Sequence, residues 1–104
     1  MSTHADEFGA AVRKLVGKVS NWTPSRWAAS SSSGGSRAAL LHDLVQWLAD
    51  RGAVAEGQPR RQVPRLDSDL VLPDQLRVVA LDLVAAGGAD AEAVSRVNDV
   101  RRAL

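Results

Sequence analysis

Residues 8–22, FGAAVRKLVGKVSNW, carry the clearest helical pattern in the chain and indicate its fold class. The large apolar side chains recur at intervals of four, three, four and three residues, at Phe8, Val12, Leu15, Val19 and Trp22. That spacing places them along one side of an α-helix, with the basic residues on the other side. Thr3 and Asp6 match the pattern of a capping box, so we predict a helix from about His4 to Ser20.

Two of the four aromatic residues, Trp22 and Trp27, frame the next predicted element. Pro24 suits the first position of a helix, and the threonine before it is a suitable N-cap. This arrangement puts the two indoles at the positions of a hydrophobic staple, which predicts a short helical turn, residues 24–29, packed into the core. The alternative is that one indole stays exposed beside Arg26 as a binding anchor for a partner.

Three longer helices are predicted in the rest of the chain. A flexible Ser/Gly connector at residues 30–36 precedes the first of them. Capping and stop signals predict helices at residues 37–51, at residues 73–86, and from Asp90 to the C-terminus. The turn between the last two is short, so we expect these two helices to pack antiparallel as a hairpin.

Together these elements predict an all-α fold, in a single helical domain of residues 1–104. The expected architecture is a compact, irregular four-helix bundle with a short extra helical turn near Trp27. A long ordered loop is expected at residues 53–72, a length that is unusual in a compact domain. The residues predicted to form the core are Phe8, Leu15, Val19, Leu44, Trp47, Leu48, Val79, Leu83, Val97 and Leu104.

The composition argues against catalysis. The chain has no cysteine and only two histidines, so thiolate chemistry is excluded and a metal site lacks its usual ligands. Serine is abundant only in the connector, where a nucleophile would be poorly oriented. Asp67, Asp69 and Asp74 are interpreted as turn and first-turn residues rather than as a cation site. We therefore predict no catalytic residue, no metal, no cofactor and no enzymatic activity.

Sequence features also bear on location and charge. No apolar run approaches the ~20 residues of a membrane span, so we predict a cytoplasmic protein without a membrane partner. The many alanines and arginines and the lack of isoleucine indicate a bacterial, high-GC genome. Residues 13–65 contain nine basic and three acidic side chains, whereas residues 67–99 contain two basic and seven acidic side chains. We interpret this asymmetry as pairing between the halves; the alternative is a basic face for an anionic partner.

Protein–protein interaction is the favoured function, with an unknown protein or a second copy of the chain as partner. Val78 and Leu81 lie opposite the inward face of the predicted helix 73–86, which makes that helix apolar nearly all round. The loop segment PRRQVPRL, residues 59–66, adds arginines that can pair with acidic groups. The predicted interaction residues are Trp22, Arg26, Trp27, Arg60, Arg61, Arg65, Val78 and Leu81.

DNA binding is the alternative function. Residues 85–99, AAGGADAEAVSRVND, combine a small-residue helix end, a glycine turn and a capped helix containing V-S-R. The segment resembles the helix-turn-helix of the bacterial lactose-repressor family, which implies DNA binding by residues 82–99 with Ser95 and Arg96 as base contacts. It departs from that pattern at Val84, where a small residue is typical. Acidic residues at the start of the second helix would repel phosphate, so nucleic acid is the less favoured partner.

Overall fold

The computed structural model describes residues 3–104, which form five α-helices and one 3₁₀ turn and contain no β-strand. The elements are α1 (His4–Val19), α2 (Pro24–Ala28), α3 (Arg37–Glu56), the 3₁₀ turn (Asp69–Val71), α4 (Leu72–Ala85) and α5 (Ala91–Ala103). The all-α class, the four long helices and the extra helical turn are confirmed. The predicted domain includes residues 1 and 2, which lie outside the described part of the chain.

Side-chain caps mark the starts of α1, α2, α3 and α5, whereas α4 has none. Thr3 Oγ1 accepts a hydrogen bond from the Asp6 N–H at 3.1 Å, and the Asp6 carboxylate accepts one from the Thr3 N–H at 3.4 Å. This is the predicted capping box. Ser36 and Asp90 accept equivalent bonds, each 3.0 Å long, at the starts of α3 and α5. Each cap satisfies a backbone donor that the first turn of a helix would otherwise leave unpaired.

The four long helices surround one core in the ring order α1, α4, α3, α5. Both α4 and α5 pack against α1 and against α3, so α4 and α5 lie on opposite sides of the core. The predicted hairpin of these two helices is therefore wrong. After α4 the chain turns at Gly87, which has a positive φ of 77°, and Gly88 packs so closely on Leu83 that a Cβ would lie 2.7 Å from its side chain. This tight turn directs α5 away from α4 instead of back along it.

Large aliphatic and aromatic side chains fill the core. Those that are fully buried are Trp27, Phe8, Leu15, Leu41, Leu44, Leu48, Leu72, Leu76, Leu83, Val19, Val45 and Val97. Burying one such side chain stabilises the fold by about 1.5–3 kcal/mol. Among the predicted core residues, Trp47, Val79 and Leu104 are only partly buried because they pack at the edge of the cluster. The other predicted core positions are confirmed.

Helix α3 is longer than predicted. The sequence suggested an end at Gly52, but the helix continues to Glu56 and ends at Gly57, whose φ of 68° is left-handed. The Gly57 N–H donates to the Val54 carbonyl at 3.1 Å, and the next N–H donates to the Ala53 carbonyl at 2.9 Å. Two glycines thus compete as stop signals. Gly52 is tolerated inside the helix at a cost of about 1 kcal/mol, and Gly57 provides the terminating conformation.

The predicted loop at residues 53–72 is correspondingly shorter, because α3 takes up its first residues and the 3₁₀ turn and α4 its last. We call the remaining segment, residues 57–68, the crossover. It begins at the end of α3, yet the Arg65 Nη1 donates to the carbonyl of Ala38 near the start of α3, at 3.3 Å. The crossover therefore returns along a 20-residue helix, a distance of about 30 Å. An extended chain covers at most about 3.3–3.6 Å per residue, so about nine residues are needed for that distance, which accounts for most of the loop.

Residues 30–36, predicted as a flexible connector, form a hydrogen-bonded turn. The Ser31 N–H and hydroxyl both donate to the Gly35 carbonyl, at 2.7 and 3.0 Å, and Ser30 forms an isolated bridge with Ser36. The Ser32 N–H donates to the carbonyl of Ala103 at 3.1 Å, which attaches the turn to the end of α5. The serine and glycine content predicted flexibility because amino-acid composition carries no information about hydrogen bonds to distant residues such as Ala103.

Candidate interaction site

Helix α4 exposes a stripe of large apolar side chains. Val78, Leu81 and Val84 are 58%, 70% and 40% exposed. They are spaced three residues apart, so they lie beside one another along the helix. Leu76 and Leu83, on the opposite side, are fully buried. The exposure of Val78 and Leu81 agrees with the surplus apolar face expected from the sequence, and their role in binding stays a prediction.

A groove of about 480 Å³ between α1 and α4 adjoins this stripe. Leu81 and Val84 line its α4 side. The apolar residues that line it from the core are Phe8, Val12, Val16 and Ala80. Gly9, Gly17 and Ser20 line the α1 side together with Arg13, whose Nη1 would lie 3.3 Å from a Cβ added at Gly9. We call the groove together with Val78, Leu81 and Val84 the α1–α4 face.

Gly17 leaves an open space on this face. A Cβ built at this position would meet no atom within 4 Å outside the adjoining backbone of α1, so packing against the rest of the molecule does not require glycine here. Glycine in a helix interior costs about 1 kcal/mol relative to alanine. The absence of a side chain leaves the backbone of α1 accessible to close approach by another molecule.

The α1–α4 face has a basic edge and an acidic edge. Arg13 lines the groove on α1 and forms no ion pair within residues 3–104. Asp82 follows Val78 by one turn of α4, on the side of the stripe away from the groove, where it lines the cavity between α3, the crossover and α4; it too forms no ion pair in this range. Arg77, also in the groove, pairs with Asp74 at 2.7 Å. The two unpaired charges thus flank the apolar stripe with opposite signs.

The tryptophans belong to the core. Trp27 is fully buried and Trp22 is 6% exposed, and their ring centroids lie 4.9 Å apart in an edge-to-face contact. The guanidinium groups of Arg26 and Arg37 lie 5.4 and 5.1 Å from the Trp22 ring centroid. The predicted staple is confirmed. The alternative of an exposed indole anchor is wrong, because Trp22 extends the buried stripe of α1 and these arginines cover its ring.

The arginines of the crossover differ in their surroundings. Arg65 donates to the Ala38 carbonyl and pairs with Asp69 at 3.1 Å, so its side chain holds the crossover against α3. Arg60 and Arg61 are exposed and form no ion pair within residues 3–104. Of the three predicted loop contacts, Arg65 therefore has a structural role, whereas a binding role for Arg60 and Arg61 stays a prediction.

Ion pairs join the basic and acidic halves of the chain, as the favoured interpretation of the charge asymmetry expected. Arg51 pairs with Asp90 at 2.8 Å and with Glu92 at 3.5 Å. The pKa of Asp90 is lowered, chiefly because its carboxylate accepts a hydrogen bond from the Ala93 N–H and further because Arg51 is close; partial burial opposes the shift. Arg51 belongs to the basic half of the chain and Asp90 and Glu92 to the acidic half, so these ion pairs attach the start of α5 to α3.

Ser95 and Arg96, the proposed base contacts, are exposed on α5. The Arg96 guanidinium lies 5.0 Å from the Trp47 ring centroid, and that of Arg51 lies 4.9 Å from the same centroid. Arg96 therefore stacks on an indole of α3. Asp99, one turn earlier than Arg102, pairs with it at 2.9 Å, so this surface of α5 carries charges of both signs.

His42 and Gln46 have structural contacts that the apolar pattern of the sequence does not indicate, because both contact the backbone of the crossover. Gln46 Oε1 accepts a hydrogen bond from the Val63 N–H at 2.7 Å, and its Nε2 donates to the Arg61 carbonyl at 3.1 Å. His42 Nε2 lies 3.2 Å from the Val63 carbonyl oxygen. Their spacing of four residues puts both side chains on the same side of α3, the side that faces the crossover. That spacing was the only feature of the sequence that indicated a shared contact.

No group of three or more histidine and acidic side chains within residues 3–104 is arranged to hold a metal ion. Asp69 and Asp74, interpreted as turn residues, pair with Arg65 and Arg77. None of the helices in this range is long and apolar enough to span a bilayer. Comparison of the chain with protein-family models, with curated proteins and with solved structures finds no match. What the protein does must therefore be inferred from its own geometry.

Proposed function

We propose that this is a non-catalytic helical protein that acts by binding another protein through the α1–α4 face. The observation that carries the proposal is the exposure of Leu81 and its two apolar neighbours on α4, directly beside an apolar groove. A single exposed apolar side chain is ordinary on a protein surface, but a contiguous stripe along a groove is typical of an interaction surface. The charges at its edges match the polar rim of a protein interface.

The form of the groove favours a macromolecular partner over a small ligand. It lies open to solvent between two helices. Small-molecule sites enclose most of the surface of their ligand, whereas a helix packs into an open groove through one side only. A helix with apolar side chains at intervals of three and four residues would cover both the groove and the stripe.

The experiment compares Leu81→Ser with Val54→Ser. Val54 is 61% exposed on α3 and lies outside the α1–α4 face, so this control removes a similar exposed apolar group elsewhere. Self-association is measured by sedimentation equilibrium, and recovery of other proteins from the native cells is measured by quantitative mass spectrometry. We expect Leu81→Ser to weaken binding about tenfold, a change of about 1.4 kcal/mol, because a side chain at the buried centre of an interface can contribute about 2 kcal/mol or more. Val54→Ser should bind like the unmodified chain.

Equal behaviour of the two variants and the unmodified chain in both measurements would contradict the proposal. The same preparations are tested on duplex DNA at low salt. Retention that falls steeply as salt rises, and that Arg96→Ala reduces, would instead favour the helix-turn-helix alternative.

A further inference from the structure

We propose that the occupant of the α1–α4 face is a second copy of the same chain, related to the first by a two-fold axis. This inference rests on the proposed function and names the partner. In a two-fold interface the same surface is used by both copies, so it must be complementary to itself. The α1–α4 face meets this condition in shape and in charge.

The shape of the face combines a projection with a recess. The projection is the stripe of Val78, Leu81 and Val84 on α4, and the recess is the groove, whose α1 side is open at Gly17. When α4 of each copy lies in the groove of the other, the exposed stripe of each is covered. The missing side chain at Gly17 then permits close contact between α1 of one copy and α4 of the other.

The charges favour a second copy over an unrelated helix. Arg13 forms the basic edge on α1 and Asp82 the acidic edge on α4, and neither has an ion-pair partner within residues 3–104. A uniformly acidic partner would be attracted to Arg13 and repelled by Asp82, and a basic partner would show the reverse. A two-fold rotation brings Arg13 of each copy towards Asp82 of the other, so both charges gain an opposite partner.

The test reverses one charge at a time, in Arg13→Glu and in Asp82→Arg, and follows the self-association of the full chain by sedimentation equilibrium at low salt. In a two-fold dimer each single reversal places like charges together twice. We therefore expect each variant to associate about tenfold more weakly than the unmodified chain. Both positions are exposed, so the variants should fold, which circular dichroism checks.

An equimolar mixture of the two variants provides the decisive comparison. In the mixed dimer the carboxylate introduced at position 13 faces the guanidinium introduced at position 82, and the remaining Arg13 and Asp82 also face each other. We expect the mixture to associate about as tightly as the unmodified chain. A mixture no tighter than either variant alone would overturn the two-fold arrangement.

The outcomes separate this inference from the proposed function. A chain that is monomeric at all concentrations, yet binds another protein in a manner that depends on Leu81 and not on Val54, would overturn the second copy as occupant and leave the proposed function intact. A monomer with no binding that depends on Leu81 would overturn both.

Discussion

Gly17 and Gly52 are two helix-interior glycines that the fold itself does not require. A Cβ added at either position would meet no atom within 4 Å outside the adjoining backbone of its own helix. Their surroundings differ, because Gly17 opens onto the α1–α4 face whereas Gly52 lines a cavity of about 570 Å³ between α3, the crossover and α4. The pair therefore allows the effect of a methyl group on helix stability to be separated from its effect on association.

We expect Gly17→Ala and Gly52→Ala each to raise the free energy of unfolding by about 0.5–1 kcal/mol, because alanine loses less conformational entropy in a helix. Urea unfolding at low protein concentration measures this, since association would otherwise add to the apparent stability. Gly17→Ala should also weaken self-association, whereas Gly52→Ala should leave it unchanged. Identical association by the two variants would mean that Gly17 is outside the interface.

The crossover is an element without regular secondary structure that is held by side chains of α3. The Gln46 side chain accepts a hydrogen bond from the Val63 N–H and donates one to the Arg61 carbonyl. Further along the crossover, Arg65 donates to the Ala38 carbonyl near the start of α3. Without these hydrogen bonds, the backbone N–H and C=O groups of the crossover that face α3 would lose their partners, and water would replace them only in part. The attachment positions α4 beside α3 and therefore also orients the exposed stripe.

We expect Gln46→Ala to lower the free energy of unfolding by about 1–3 kcal/mol, because the partly buried Val63 N–H loses its acceptor. Gln62→Ala is the matched control, since Gln62 is exposed in the crossover and its side chain makes no hydrogen bond within residues 3–104. Urea unfolding measures the change, and amide hydrogen exchange of Val63 shows whether the crossover opens locally. Equal stability of the two variants would show that the Gln46 bonds contribute little.

The described part of the chain, residues 3–104, is a ring of four helices around one core and leaves the apolar α1–α4 face uncovered. Such a small domain has little stability to spare, so covering that face matters for the whole fold. Association that involves only the folded chain raises apparent stability by mass action.

The midpoint of thermal unfolding should therefore rise with protein concentration. A rise of about 4–8 °C corresponds to roughly 1 kcal/mol in a domain of this size. Leu81→Ser should shift the dependence to about tenfold higher concentration and Val54→Ser should leave it unchanged, as differential scanning calorimetry over a hundredfold concentration range can show. A midpoint that is independent of concentration in the unmodified chain would contradict self-association of the folded state.

Local sequence was sufficient for features that depend on residues within about five positions of one another. The helix starts at Thr3 and Asp90 and the contact of Trp22 with Trp27 followed from capping and staple patterns, since a helix brings residues three to five positions apart into contact. The same periodicity identified Val78 and Leu81 as lying opposite the buried face of their helix. These parts of the fold and of the candidate site are encoded in short segments.

Contacts between distant segments supplied the rest. The ring order of the helices, the return of the crossover along α3, the bonds of Gln46 and the groove beside Gly17 all join residues far apart in the chain. A periodic pattern shows that one side of a helix is apolar, but it does not show which helix covers that side. That choice, and with it which apolar side chains of α4 stay exposed within residues 3–104, depends on how all four helices pack together.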